Sequence, residues 1–345
     1  MKKIIAGLAV LAMGACVFAG SLALTVDAQT QYSGAGGLAV GANDDGFILE
    51  MGGSYESASG GAAFRLRNDA GGAPTMDRWD VNIKPADWVK VGMGSYPIEL
   101  FCESIKWEPI CGAGMFENAT PHIYSEFYPT GELTFGLGFI GAGTEFYKSA
   151  VAYAQYSIPM VGRMAFEFEM NDNVGLLCDY DHGMGEAMRL GYQFEYNGTD
   201  NLDLIFGVSP VFDLKDDSFK FYELRFDLFG SFTADAFSVE AYNAFIYFAD
   251  AGSVGDRFGL KASYAINDVL TPWFRANFLY NYAAIWGFGY NWGTTGYAEG
   301  MSFIAEAMLN FNLGNGVTGD IGFEGTYTDG ADFAWRIPLH VIVGF

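Results

Sequence analysis

The stretch that decides the fold is the last one, Trp335-Arg336-Ile337-Pro338-Leu339-His340-Val341-Ile342-Val343-Gly344-Phe345. Trp335, Ile337, Leu339, Val341, Val343 and Phe345 fall on one face of an extended strand, and Arg336, Pro338, His340, Ile342 and Gly344 on the other. Successive strand side chains point to opposite faces, so an apolar face backed by a mixed one is the pattern of a strand with lipid on one side and water on the other. A single strand decides little, and the rest of the chain must repeat it.

It does. Apolar Met164, Phe166, Phe168 and Met170 alternate with Arg163, Ala165, Glu167 and Glu169. Tyr222, Leu224, Phe226 and Leu228 oppose Glu223, Arg225 and Asp227, and Phe303, Ala305, Ala307, Leu309, Phe311 and Leu313 oppose Glu306, Asn310 and Asn312. Short turns at Thr130-Gly131-Glu132, Thr199-Asp200-Asn201, Thr233-Ala234-Asp235, Asn267-Asp268 and Asn315-Gly316 alternate with longer connections such as Pro97–Pro121 and Asn171–Gly185. The segments run to about ten residues, against about five or six for strands of soluble sandwiches. The expected fold is all-β: a transmembrane antiparallel barrel of about 16 to 18 strands, an even number that returns both ends to one side. The terminal aromatic residue resembles that of the closing strand of bacterial outer-membrane barrels. The resemblance implies that Trp335 and Phe345 serve closure and assembly, with the barrel assembly machinery reading Phe345. Trp335–Phe345 should then pair with Ser21–Tyr32.

The amino terminus points to the same compartment. Met1-Lys2-Lys3 is a charged head, Ile4 to Phe18 an apolar stretch and Val17-Phe18-Ala19 a small-x-small site, so residues 1–19 read as a cleaved signal peptide and 20–345 as the barrel. No run of about 18 uncharged apolar residues follows, which leaves closed sheets as the means of crossing a membrane. The net charge of −23 argues against nucleic acid as a partner. Only 17% of residues are charged while another 17% are aromatic, against about a quarter charged in soluble proteins. Three cysteines, Cys102, Cys111 and Cys178, lie outside the leader. Cys102 and Cys111 share one loop, where a disulfide and two free thiols are both open readings.

The inward charges are unevenly spread. Arg65, Arg67, Arg78, Lys84 and Lys90 gather on early strands, and the following loop holds Glu99, Glu103, Glu108 and Glu117 against a single Lys106. Here the chain resembles the trimeric general porins and spirochaete-type outer-membrane porins, whose third external loop folds into the pore and opposes acids to a wall of bases. The segment Lys84-Pro85-Ala86-Asp87-Trp88-Val89-Lys90-Val91, followed by Gly94-Ser95-Tyr96-Pro97, looks like the strand leading into that loop. The resemblance implies a pore constriction made by those nine charges and a homotrimer. Later inner carboxylates, Glu167, Glu169, Glu195, Asp203, Glu240, Glu306, Asp320 and Glu324, tilt the remaining wall negative.

No catalytic set emerges. Asp179-Tyr180-Asp181-His182 partly resembles the omptin-type barrel proteases, but Tyr180 stands where an acid should precede His182. A solvated loop, or a loose Ca²⁺ site with Glu186, is the better reading. The expectation is no enzyme, no cofactor and no resident metal. It is instead a porin of the bacterial outer membrane, seated in the lipid bilayer, that passes small hydrophilic solutes and ions. Two rivals remain: a surface adhesin or major antigen on a barrel mount, and a solute-selective channel, which would show aromatic residues lining its wall.

Overall fold

Alternating residues cannot satisfy a helix's single apolar stripe, so each segment extends and finds its hydrogen bonds in neighbouring strands. The computed structural model describes residues 21–33, 37–40, 47–69, 75–94, 122–140, 150–172, 186–214, 219–282 and 297–344. Its strands are β1 (Ser21–Ser33), β2 (Gly37–Val40), β3 (Phe47–Ser57), β4 (Gly60–Asp69), β5 (Thr75–Ala86), β6 (Val89–Gly94), β7 (His122–Phe127), β8 (Leu133–Ile140), β9 (Ala150–Ile158) and β10 (Gly162–Asp172). They continue as β11 (Glu186–Thr199), β12 (Leu202–Asp213), β13 (Lys220–Ala234), β14 (Phe237–Phe248), β15 (Ser253–Tyr264), β16 (Leu270–Tyr282), β17 (Tyr297–Gly314), β18 (Val317–Thr328) and β19 (Ala334–Gly344).

All belong to one antiparallel sheet in which each strand from β3 onward pairs with the next. The sheet then closes on itself, because β19 pairs with β1 from Gly344 opposite Thr25 to Arg336 opposite Ser33. The first and last strands therefore meet, as the terminal alternation suggests. β2 pairs with Thr30–Ser33 and β3 with Ser21–Ala28, so they share one edge of β1 in succession. Counted around the ring, the described strands fill eighteen positions. The expected closed antiparallel barrel is the architecture found. At one end every connection between described strands has two to five residues. The short turns read from sequence at Gly131, Asp200, Asp235, Asn267 and Asn315 all lie at this end. One reading changes. Lys84–Val91 is not a single strand, because a turn at Asp87-Trp88 separates β5 from β6. Pro85 has no N–H to give, and it sits within the register shift between Ile83 and Ala86.

The two faces differ in kind. Phe206, Leu228, Phe245, Phe258, Phe274, Phe278, Phe303 and Phe323 point out and are exposed, while the residues between them are buried. A protein in water would do the reverse, so this belt requires a hydrocarbon solvent. A polar pair stands within the belt: Asn243 Nδ2 donates to Asp256 Oδ1 at 2.6 Å. The inward face is less uniformly polar than the alternation suggests. Inward Ile246, Phe248, Leu279 and Ile304 form a buried cluster, and Ile205, Phe229 and Tyr242 form another.

The inner wall as candidate functional site

Cross-strand register turns scattered charges into a row. Asp203 stands opposite Ser231, Ser231 opposite Glu240, Glu240 opposite Lys261 and Lys261 opposite Arg275. The row continues from Arg275 to Glu306, Glu324 and Arg336, and reaches Ser33 on β1. Directly opposed side chains sit within contact distance, so the row is also a chain of interactions. Ser231 Oγ donates to Asp203 Oδ2 at 3.1 Å, and Lys261 Nζ lies 3.6 Å from Glu240 Oε2. Arg275 pairs with Glu306, and Arg336 Nη2 donates to Glu324 Oε2 at 2.7 Å. Trp273 lies between two cations, with Lys261 Nζ 5.6 Å and Arg275 Cζ 5.5 Å from its ring centre.

Exposure divides these charges by height. The Arg275–Glu306 side chains are 3% and 3% exposed, and Arg336–Glu324 are 6% and 3%. Arg225 and Glu223, 3.5 Å apart on β13, are equally dry. Near the short turns the pairs are wetter: Lys261–Glu240 are 28% and 19% exposed, and Arg163–Glu195 are 25% and 17% at a separation of 2.6 Å.

On β5 to β9 the wall is built differently. Tyr153 on β9 lies over Gly136 on β8 and donates its hydroxyl to Glu126 Oε1 on β7 at 2.7 Å. A Cβ at Gly136 would come within 2.2 Å of Tyr153 Cε1, so only glycine leaves room for the ring. Tyr124 repeats the arrangement over Gly92, reaching Asp80 Oδ1 at 2.8 Å, as does Tyr242 over Gly259, reaching Asn277 Oδ1 at 3.0 Å. Glu126 also accepts from Tyr128 at 2.7 Å and meets Lys90 Nζ at 2.5 Å.

The structure disperses the bases singled out from sequence. Arg65 on β4 stands opposite Arg78 on β5, and Arg67 stands opposite Glu50. Lys84 pairs with Glu56 beside the short turns, and Lys90 with Glu126. Arg78 and Lys84 are six residues apart on one strand, which at about 3.3 Å per residue is roughly 20 Å. The acids Glu99, Glu103, Glu108 and Glu117, the cysteines Cys102, Cys111 and Cys178, Phe345, residues 1–19 and the Asp179–His182 segment lie outside the described residues. Trp335 stands opposite Gly325 on β18 and stacks on Phe323 at 6.2 Å. Of the eight later carboxylates, Glu195, Glu240, Glu306 and Glu324 each have an opposing base as partner. Sequence alone does not reveal Arg275 as a wall residue, because only register sets it beside Glu306.

A closed antiparallel barrel with an apolar outer belt and a charged inner wall belongs to the class of transmembrane porin-type barrels. No protein-family model matches the sequence, and no curated protein is similar to it in sequence. Solved structures match in fold. The outer membrane protein OpdK from Pseudomonas aeruginosa matches with a TM-score of 0.61 at 8% identity, over 94% of this chain and 98% of that one. OpdK with vanillate matches at 0.58 and 9% identity over 94% and 98%. A BenF-like porin from Pseudomonas fluorescens Pf-5 matches at 0.60 and 8% identity, again over 94% and 98%. The chain thus has the fold of bacterial outer-membrane porins.

Proposed function

We propose that this chain is a passive porin of the bacterial outer membrane, admitting small hydrophilic solutes and ions down their gradients without a cofactor or covalent step. The observation that carries this reading is the closed ring of strands with an apolar exterior and charged rows within. A barrel of this width is too large to be filled by its own side chains alone. Residues 1–19 act as a leader that is removed on export, and the assembly machinery reads the terminal Phe345. A homotrimer is the expected assembly. In the finer reading, the acids Glu99, Glu103, Glu108 and Glu117 face Arg65, Arg67 and Arg78 across a constriction, giving a transverse field that orients polar solutes, while Lys84 and Lys90 belong to the short-turn end, with Glu56 and Glu126.

A second reading, a solute-selective channel, draws support from an aromatic ring on the inner wall. Trp273 is only half-buried, and the Nζ of the partly exposed Lys261 lies 5.6 Å from its ring centre. A planar anion could stack and pair on such a surface. One planar-bilayer experiment addresses both readings. Detergent-folded protein should give stepwise conductance, and its absence from correctly folded material would remove the porin reading. Block of that conductance by vanillate, absent with acetate, would favour the selective channel; equal behaviour would favour general diffusion.

A further inference from the structure

We propose that ion selectivity in this channel is set by a wet belt of charges at its short-turn mouth, and not by the dry charged row deeper in the wall; this rests on the porin reading. Arg163 follows the first residue of β10, Lys261 lies three residues before the end of β15, and Lys84 lies two before the end of β5. All three are thus within one turn's reach of the same end of the barrel. Each pairs with a carboxylate that water also reaches: Glu195, Glu240 and Glu56. Asp203 and Asp320 add further carboxylates at this height, held by the Ser231 hydroxyl at 3.1 Å and by His340 Nδ1 at 3.5 Å. Lys90 and Glu126 form a further, drier pair at the same end, so among the described residues the belt holds six carboxylates against four Lys or Arg and His340.

A permeating ion feels a charge through whatever lies between them. Arg275, Glu306, Glu324 and Arg336 are paired and almost wholly covered, so their fields close on one another within the wall. The mouth charges border water directly, where an ion passes within a Debye length of about 8 Å at physiological salt. The acid excess predicts a mild cation preference, generated at the end opposite the long loops.

The test is reversal potential across a KCl gradient in planar bilayers. Glu240→Gln and Asp203→Asn should each lower the cation-to-anion permeability ratio about two-fold, and Lys261→Gln should raise it by a similar factor. Removing the dry pair whole, Glu306→Leu with Arg275→Met, leaves no unpaired charge and should leave the ratio unchanged. The mouth pairs are half-wet, so their loss should not prevent folding, and the exchange Glu240→Lys with Lys261→Glu preserves the pair as a second variant. That exchange should return the ratio to the wild-type value. A ratio unmoved by all three mouth variants, or shifted as much by the paired replacement of Glu306 and Arg275, overturns the inference. Wild-type protein that does not conduct overturns the porin reading beneath it, so the two failures are distinguishable.

Discussion

Tyr153 lies across its neighbouring strand, and that single placement ties three strands together. Its ring occupies the space over Gly136 and its hydroxyl reaches Glu126, which also holds Lys90 and Tyr128. Gly136→Ala would drive a methyl into the ring, and overpacking of this kind costs about 1–3 kcal/mol. Tyr153→Phe keeps the ring and loses one hydrogen bond to a charged group, about 1.5–3 kcal/mol. Both variants should unfold at lower temperature than wild type when the heat-sensitive band shift of the detergent-folded barrel is followed. An unchanged midpoint for Gly136→Ala would mean that the ring is not held over the glycine. None of this was legible beforehand, since a tyrosine and a glycine on successive strands look unrelated until register sets them opposite. The alternation reveals only that Tyr153, like Glu126, occupies an inward position.

At the scale of strands, the row from Arg275 to Arg336 joins β16, β17, β18 and β19 through charges held away from water. Removing one member leaves its partner charged and buried, which costs about 3–5 kcal/mol, whereas replacing both members by apolar groups is often close to neutral. Glu306→Leu should therefore destabilise the barrel severely, and adding Arg275→Met should recover most of the loss. Urea unfolding in lipid vesicles, followed by tryptophan fluorescence, measures both; a double variant as unstable as the single would show that the pair has no such coupling. Part of this row could be read in advance. Glu306 and Glu324 are near mirror images about the Asn315-Gly316 turn, and Glu324 and Arg336 are mirror images about Gly330. Arg275 was not legible, because its register to Glu306 spans residues 283–296 and no short turn fixes it. The same reason explains why the wall looked acidic in sequence. Acids cluster visibly along a strand, while the bases that answer them arrive from the next.

For the molecule as a whole, closure and solvent are linked. A sheet in hydrocarbon must leave no unpaired edge, and the pairing of β19 with β1 removes both edges at once. The class of fold was legible because it rests on parity alone: Phe226, Phe303 and Ile337 take their outward places whatever the exact register. Interior detail was not, because parity does not distinguish a wet inner position from a dry one such as Ile246. If the outer belt is lipid-facing, the cost of a charge placed on it must depend on depth. Phe226 lies near the middle of β13, and Leu313 lies one residue from the end of β17, beside a short turn. An arginine at the bilayer midplane of a barrel costs about 2–4 kcal/mol and one near the interface about 0–1. Phe226→Arg should accordingly lower the stability of the barrel in lipid vesicles several-fold more, in free energy, than Leu313→Arg. In detergent micelles, which deform around a charge, the gap should narrow. Equal costs at the two positions in vesicles would mean that β13 does not cross the hydrocarbon core at its midpoint, and the assignment of the apolar belt to lipid would have to be abandoned.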